Sequence, residues 1–435
     1  MNLQEYIRVY YDSASEWFVD EVEKYNHRKR IDNIFNIKAY LNGKHAIKSR
    51  PDETYNGRTF KTRKIVLQYV KPILSFETSF LLNRPVTLTA TDKDTLKTFK
   101  DMYSKSKYND LDFKILDKLV KYGQVFEYIY LDDNKQIRSK LINVEDSYPV
   151  FSDSGDYIAF IEHYTIATSG ISYYKVFTPN MVATYDNYGG DGLRKTGEYI
   201  NLSGLPIMYK TDNEEDSTQG RSDIEDYIDI LDNMEDLISK YMDSFYKFLN
   251  PIPTVTGTKL NIGKNGEGAV NPATVGHVLQ LDDGSSFDLV TNKMDYQSLK
   301  ELYGMLKQSL LDVSMTPAVS LNNTDISNLS EVSIKLLFSL AQIKGSINSK
   351  YMKEGFNNRW EKMKRLMQLK GVTVSGNIDC NFEMNVPQNE KEIIENLKEL
   401  REMNAISLDS LLSQTPYIYD VEGEKERIQG EQKAV

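Results

Sequence analysis

The sequence predicts an α+β fold: a mixed body, a helix leading out, a small β tip, a helix leading back, and a helical C-terminal part. Three observations predict it. First, Ile224, Tyr227, Leu231, Met234, Ile238, Tyr241, Phe245 and Phe248 are spaced 3-4-3-4-3-4-3, an apolar seam at helical period. Second, Pro251 and Pro253 stop that helix, and residues 254–293, rich in Gly, Thr, Val and Asn, read as short strands and turns. Third, period-two segments fill the region upstream. A helix out, a β tip and a helix back form a projecting stalk. Ring-shaped machines use such a stalk more often than enzymes do.

Taken in order, residues 1–50 read as helices followed by a turn, YLNGKHAI. Val66, Val70, Ile73, Leu74, Phe80 and Leu81 predict a helix, with Pro72 near an end or at a kink. Asn83-Arg84-Pro85 turns the chain into a Thr/Val-rich strand, and helical spacing returns from Leu96 to Tyr122. VFEYIYLDD, IRSKLINV and YIAFIEHYTIA alternate as strands, with turns at Asp132-Asp133-Asn134 and Asp153-Ser154-Gly155. ISYYKVFTPNMVATYDN adds further β structure. Beyond the tip, Leu299, Leu302, Tyr303, Leu306 and Leu310 define one face of the return helix. A polar loop follows Pro317. A long helical stretch then runs from Leu329 to Lys370, with Asn328 and Glu331 as a capping pair and Gly345 as the expected kink. GVTVSGNIDCNFEMNVP reads as strands rejoining the body. Two helices and a frayed charged tail from Glu422 close the chain.

Composition sets limits. A chain of 435 residues is too long for one compact core, and 40% apolar with 27% charged residues is ordinary for a folded protein. The single cysteine, Cys380, excludes an internal disulfide and points to a reducing compartment. The N-terminal MNLQEYIRVYYDSASEW does not read as a secretory signal, and no apolar run reaches membrane-spanning length. A net charge of −10 argues against a broad phosphate-gripping surface. Charge is uneven: residues 212–236 carry eleven acidic side chains and one basic, and residues 335–370 nine basic and two acidic. Each run reads first as a solvated helix face. The sharper expectation is that they meet across an interface between copies of the chain.

Chemistry-bearing patterns are sparse. His27, His45, His163 and His277 show no paired spacing and read as hydrogen-bonded or surface residues; one cysteine excludes a thiolate zinc site. GTKLNIGKN (Gly257–Asn265) has five residues between its glycines and Asn265 where Ser or Thr belongs, so it reads as β-turn glycines rather than a phosphate loop. Asp229, Asp232 and Asp236 fall on adjacent helical turns and could hold Mg2+ in a helical enzyme. The facing helix offers only Glu301 and Asp312, too few for that chemistry. No catalytic set, cofactor motif or metal motif emerges.

The order of motifs resembles the portal proteins of tailed bacteriophages, in the branch common in long-tailed phages of Gram-positive hosts. YLNGKHAI is similar to an early Tyr-x-x-Gly-x-His motif, and Lys64–Leu88 to the helix and turn that follow it, with Asn83-Arg84 where Gly-Lys is usual. Gly220–Pro253 resembles a stem helix, MTPAVSLNNTDISNLSEVSIKLLF a tunnel loop with the start of a kinked helix, and Glu399–Glu424 the family's C-terminal pattern. The resemblance implies a wing at 1–220, a stem helix at 221–250, a clip at 251–295, a returning stem helix at 296–315 and a tunnel loop at 316–328. A long helix with return strands follows at 329–388, then a crown at 389–435.

It further implies a non-enzymatic ring, usually a dodecamer, at one capsid vertex of the virion, assembled in the host cytoplasm. Double-stranded DNA would pass through it, driven by a terminase whose large subunit docks at the clip; a head–tail connector or adaptor would bind there later. The major capsid and scaffolding proteins would surround it, and no membrane is involved. On this reading Val319, Ser320, Leu321, Asn322, Asn323, Thr324 and Asp325 face DNA. Asp229, Asp232 and Asp236 belong to an acidic stem or tunnel wall that repels the backbone and lets it slide, and Lys259 and Lys264 meet terminase or adaptor at the clip. Two other readings are a Mg2+-dependent helical enzyme using the acidic helix, and a non-portal phage scaffold protein.

Overall fold

The computed structural model describes the chain apart from residues 56–57, 191, 249–251, 257–282, 285, 291–294, 319–330, 388–389, 416, 419–420 and 435. Its contacts divide the chain into two compact units. The first comprises Met1–Asn42, Tyr69–Tyr227 and Leu311–Val435; the second comprises Gly43–Gln68 and Ile228–Leu310. The fold is mixed, helices with antiparallel sheets, as the sequence predicts.

The first unit is built on a five-stranded antiparallel sheet. Its strand order is Arg194–Ile200, Met181–Asp186, Ile171–Phe177, Tyr157–Ile166, Ser147–Phe151. One face buries Val150, Ile161 and Val176 against Tyr6, Trp17, Phe18 and Val22 of the N-terminal helices Leu3–Tyr11 and Trp17–Val22. Glu21 fastens that corner: Tyr6 (2.9 Å) and Tyr11 donate their hydroxyls to Oε2, and Lys24 pairs with it at 2.9 Å. Burial alone would raise the Glu21 carboxyl, but hydrogen bonds from His27, Tyr11 and Lys24 bring it down to about 2.

A three-stranded sheet, ordered Ile207–Lys210, Gln124–Leu131, Ile137–Ile142, continues the core through Phe126 and Tyr128, which pack with Phe160 and Phe177. The helix Val70–Leu82 forms as expected, with Pro72 in its first turn where its missing N–H costs nothing. Val66 lies outside it. Helical structure between residues 93 and 122 is two helices, Lys93–Ser106 and Tyr108–Tyr122, parted at Lys107, whose φ of +54° no α-helix accommodates.

The long helix, Ser339–Leu369, lies against the Ile207–Lys210 strand. Gly355 permits the approach: a Cβ there would fall 2.0 Å from the Tyr209 ring. Beside it Arg359, fully buried, donates Nε to Glu127 Oε2 (2.9 Å) and Nη1 to Asp112 Oδ1, and Tyr209 donates its hydroxyl to Glu127 at 2.6 Å. Burial pushes the Asp112 carboxyl up to about 7 against the opposing pull of Arg359.

Two sequence expectations are corrected here. The helical stretch is interrupted at Phe338, between helices Glu331–Leu337 and Ser339–Leu369, rather than at Gly345, where a kink was expected. Gly345 continues the helix; its missing side chain admits Met384, whose sulfur would stand 3.2 Å from a Cβ. The tail from Glu422, expected to fray, is helical in Val421–Ala434. Asn328, the expected cap, falls outside the described residues. Residues after the long helix do rejoin the body, as Ile378–Asn381 pairs antiparallel with Thr87–Ala90 and buried Cys380 stands opposite Leu88.

The second unit holds the acidic helix Ile228–Phe248, most of the return helix Tyr296–Val313, and a two-stranded ladder of Ile252–Thr256 with Ser286–Val290. It also takes in residues 43–68, which the sequence analysis left within the first 220.

Candidate functional site

The acidic helix is shorter than its seam. Ser222 caps a 3-10 turn, Asp223–Asp226, and α-helix begins only at Ile228. Along the seam burial declines: Leu231 and Met234 are fully buried, Ile238 and Tyr241 half-buried, and Phe245 is 43% exposed.

Next to that seam runs a buried polar stripe. Glu235, Ser239 and Asp243 recur every fourth residue, so they stack on one helix face. The extended segment ahead of Tyr69 lies along them. Leu67 N–H donates to Glu235 Oε1 at 2.7 Å, Ile65 N–H to Ser239 Oγ at 3.0 Å, and Arg63 N–H to Asp243 Oδ1 at 2.8 Å. The match is geometric. Alternate residues of an extended chain point one way and advance about 6.6–6.8 Å per pair, and four helical residues advance about 6.0 Å. Every second N–H of the segment therefore meets every fourth side chain of the helix, the two running antiparallel.

Further bonds close this collar. Arg50 Nη1 pairs with Asp243 Oδ2 at 3.0 Å, and the Arg63 guanidinium sits 4.3 Å from the Tyr246 ring centre. At the other end His45 Nδ1 stands 2.7 Å from Glu235 Oε1, both side chains fully buried. Burial raises the Glu235 carboxyl above its ordinary range, and the charge of Asp232 adds to this; the Leu67 N–H and His45 oppose it. Gly43, at φ +79°, turns the chain toward His45, and a Cβ there would press to 2.8 Å from Gln68 Nε2.

The residues singled out in the sequence part company here. Asp229 is exposed, and Asp236 pairs with Lys240 at 2.6 Å. Asp232, half-buried, offers a carboxylate oxygen within 4.8 Å of ligand atoms of both His45 and Glu235. Val319, Ser320, Leu321, Asn322, Asn323, Thr324 and Asp325, with Lys259 and Lys264, lie outside the described residues, as do Gly257–Asn265 and His277. His27 is buried with Nε2 3.4 Å from Glu21 Oε1, and His163, stacked on Tyr174 at 4.1 Å, has Nδ1 3.1 Å from the Tyr173 carbonyl oxygen. The acidic and basic runs, expected to meet between copies, meet in part within one chain. Lys344 pairs with Asp223 at 2.8 Å, and the Tyr351 hydroxyl donates to Asp212 at 2.9 Å. Sequence reasoning missed the collar, Glu235, Ser239 and Asp243 included; their four-residue spacing was the available signal, submerged in a run of acids.

A family model described as phage portal protein, SPP1 Gp6-like, matches residues 20–435. The chain belongs to the phage portal protein family. Among solved structures this portal-family chain is similar to one from the neck of a native GTA particle computed with C12 symmetry. That match has 10% identity and a TM-score of 0.46, and covers 80% of this chain and 88% of the other. A second match is to the virion of a native gene transfer agent particle, with 11% identity, 78% and 86% coverage and a TM-score of 0.44. No curated protein matches. Portal membership makes this a structural protein, and the His45–Glu235 pair joins the YLNGKHAI stretch of a portal subunit to its acidic helix. No helix among the described residues is long and apolar enough to cross a membrane.

Proposed function

We propose that this chain is the subunit of a closed ring, a dodecamer, at one vertex of a phage capsid, and that double-stranded DNA enters and leaves through its centre. The observation that carries the reading beyond family membership is the surface of the second unit. Phe245, Leu302 and Met305 expose 43%, 46% and 67% of their area on its two helices, a state that favours cover by a neighbouring subunit. The acidic helix and its return helix form the stem, the ladder and the residues beyond it the clip, residues 316–328 the tunnel loop, and the C-terminal helices the crown. The terminase large subunit docks at the clip during packaging, and the head–tail adaptor replaces it afterwards. The major capsid and scaffolding proteins hold the ring in the virion.

With Glu235 and Asp243 committed to the collar, Asp229 is the acidic residue best placed to face DNA or an adjacent stem. An acidic wall repels phosphate, and a basic one would hold it. Asp229→Lys is expected to leave ring formation intact and to lower DNA packaged per particle at least several-fold in a defined packaging assay. Packaging at the unmodified rate would contradict the assignment of this face to the channel.

A further inference from the structure

We infer that His45, Asp232 and Glu235 form a divalent-metal site that staples the Gly43–Gln68 segment to the acidic helix. Ligand atoms of all three lie within 4.8 Å of one another, and among the described residues this is the only such cluster of His, Cys, Asp and Glu. Acidic neighbours on a helix are by themselves unremarkable. The independent observation is Glu235. Its side chain is fully buried, Oε1 is held by the Leu67 N–H and the His45 ring, and Oε2 has no hydrogen-bond partner. A buried carboxylate oxygen with no donor is costly, and a cation removes that cost directly. The Leu67 N–H, by holding Oε1, restrains the carboxylate as second-shell bonds do at metal sites.

Donor chemistry selects the ion. One imidazole with two carboxylates suits Zn2+ and its neighbours in the transition series; Mg2+ and Ca2+ prefer all-oxygen shells. Zinc ligands sit at about 2.0–2.2 Å, so bound donors stand roughly 3.3 Å apart, and the His45 Nδ1–Glu235 Oε1 pair, now 2.7 Å apart, would have to open to admit the ion. The ion would displace the His45–Glu235 hydrogen bond and leave the Leu67 bond in place. Three protein ligands come from two stretches nearly two hundred residues apart in sequence, both within the second unit. The ion thus cross-links the collar at the end opposite Arg50–Asp243. Asp232 was singled out in the sequence with Asp229 and Asp236 as a Mg2+ face; the fold instead supplies it with Glu235 and a histidine.

The test uses the full-length, untagged chain, stripped with EDTA and titrated with ZnCl2 by calorimetry at neutral pH, with CoCl2 absorption as a coordination probe. One saturable Zn2+ per chain is expected, with the visible bands of low-coordinate Co2+ and no competition from equimolar Mg2+. Asp232→Asn, half-buried and outside the Leu67 bond, keeps the fold and weakens Zn2+ at least tenfold; Glu235→Gln does the same, and Asp229→Asn changes nothing. Absence of saturable binding would overturn the proposal. So would one-to-one binding indifferent to Asp232→Asn and Glu235→Gln, or several weak ions lost equally in Asp229→Asn; either marks adventitious binding to the acidic helix.

Discussion

Ser239 shows how little of the collar a residue type reveals. A serine in a helix interior is a weak helix former, and replacing it with alanine gains about 0.5 kcal/mol of propensity. Here its Oγ accepts the Ile65 N–H, and removing it strands a partly buried donor at about 1–3 kcal/mol. The second effect wins: Ser239→Ala is expected to lower stability by about 1–2 kcal/mol and to speed exchange of the Ile65 amide, read by hydrogen exchange. Unchanged exchange would remove Ser239 from the collar. Glu77 carries a pH effect. Burial first, then the charge of Asp223, raise its carboxyl to about 8, against Lys344 and the Asn348 amide. A raised acid keeps its proton in the folded chain after the unfolded chain has lost it, so stability falls as pH rises from about 4.5 to 8, by up to ~1.4 kcal/mol per unit. Melting at pH 6 and pH 8 is expected to show this fall in the unmodified chain and a flatter profile in Glu77→Gln; identical slopes would refute it. Neither residue was legible in the sequence. The donors to the acidic stripe are backbone N–H groups, which leave no mark on residue type, and Glu77 meets Lys344 only through the fold.

Elements were legible where the hydrophobic period was strong. The acidic helix, the return helix, Val70–Leu82 and the central strands follow their apolar spacing. The missed strands lack it. Arg194–Ile200 is an exposed edge of charged and polar residues, and Ser147–Phe151 carries Pro149, tolerated because that strand is the sheet's other edge. The helix interruption was misplaced because glycine inside a helix has two causes, flexibility and close approach, and sequence does not separate them. At Gly345 and Gly355 the cause is approach, by Met384 and Tyr209. Gly355→Ala tests this. Propensity favours alanine by about 1 kcal/mol, but the Tyr209 ring is held by Glu127 and cannot retreat cheaply. Overpacking of about 1–3 kcal/mol should win, lowering the urea midpoint. A raised midpoint would show that the ring moves freely.

For the whole molecule, two facts are on hand: membership of the portal family over residues 20–435, and a second unit whose helices expose apolar residues. The order of motifs made the family legible, since physical spacing alone gave only a stalk. The ring itself was never legible, because closure depends on the angle between neighbouring subunits, which no single chain encodes in readable form. The central claim is therefore tested most directly by the mass of the assembled particle. Light scattering of the purified chain, alone and co-expressed with its scaffolding protein, should give about 600 kDa, twelve copies of 50.1 kDa, with a central hole in electron micrographs of the same peak. A monomer or dimer under both conditions would contradict the account.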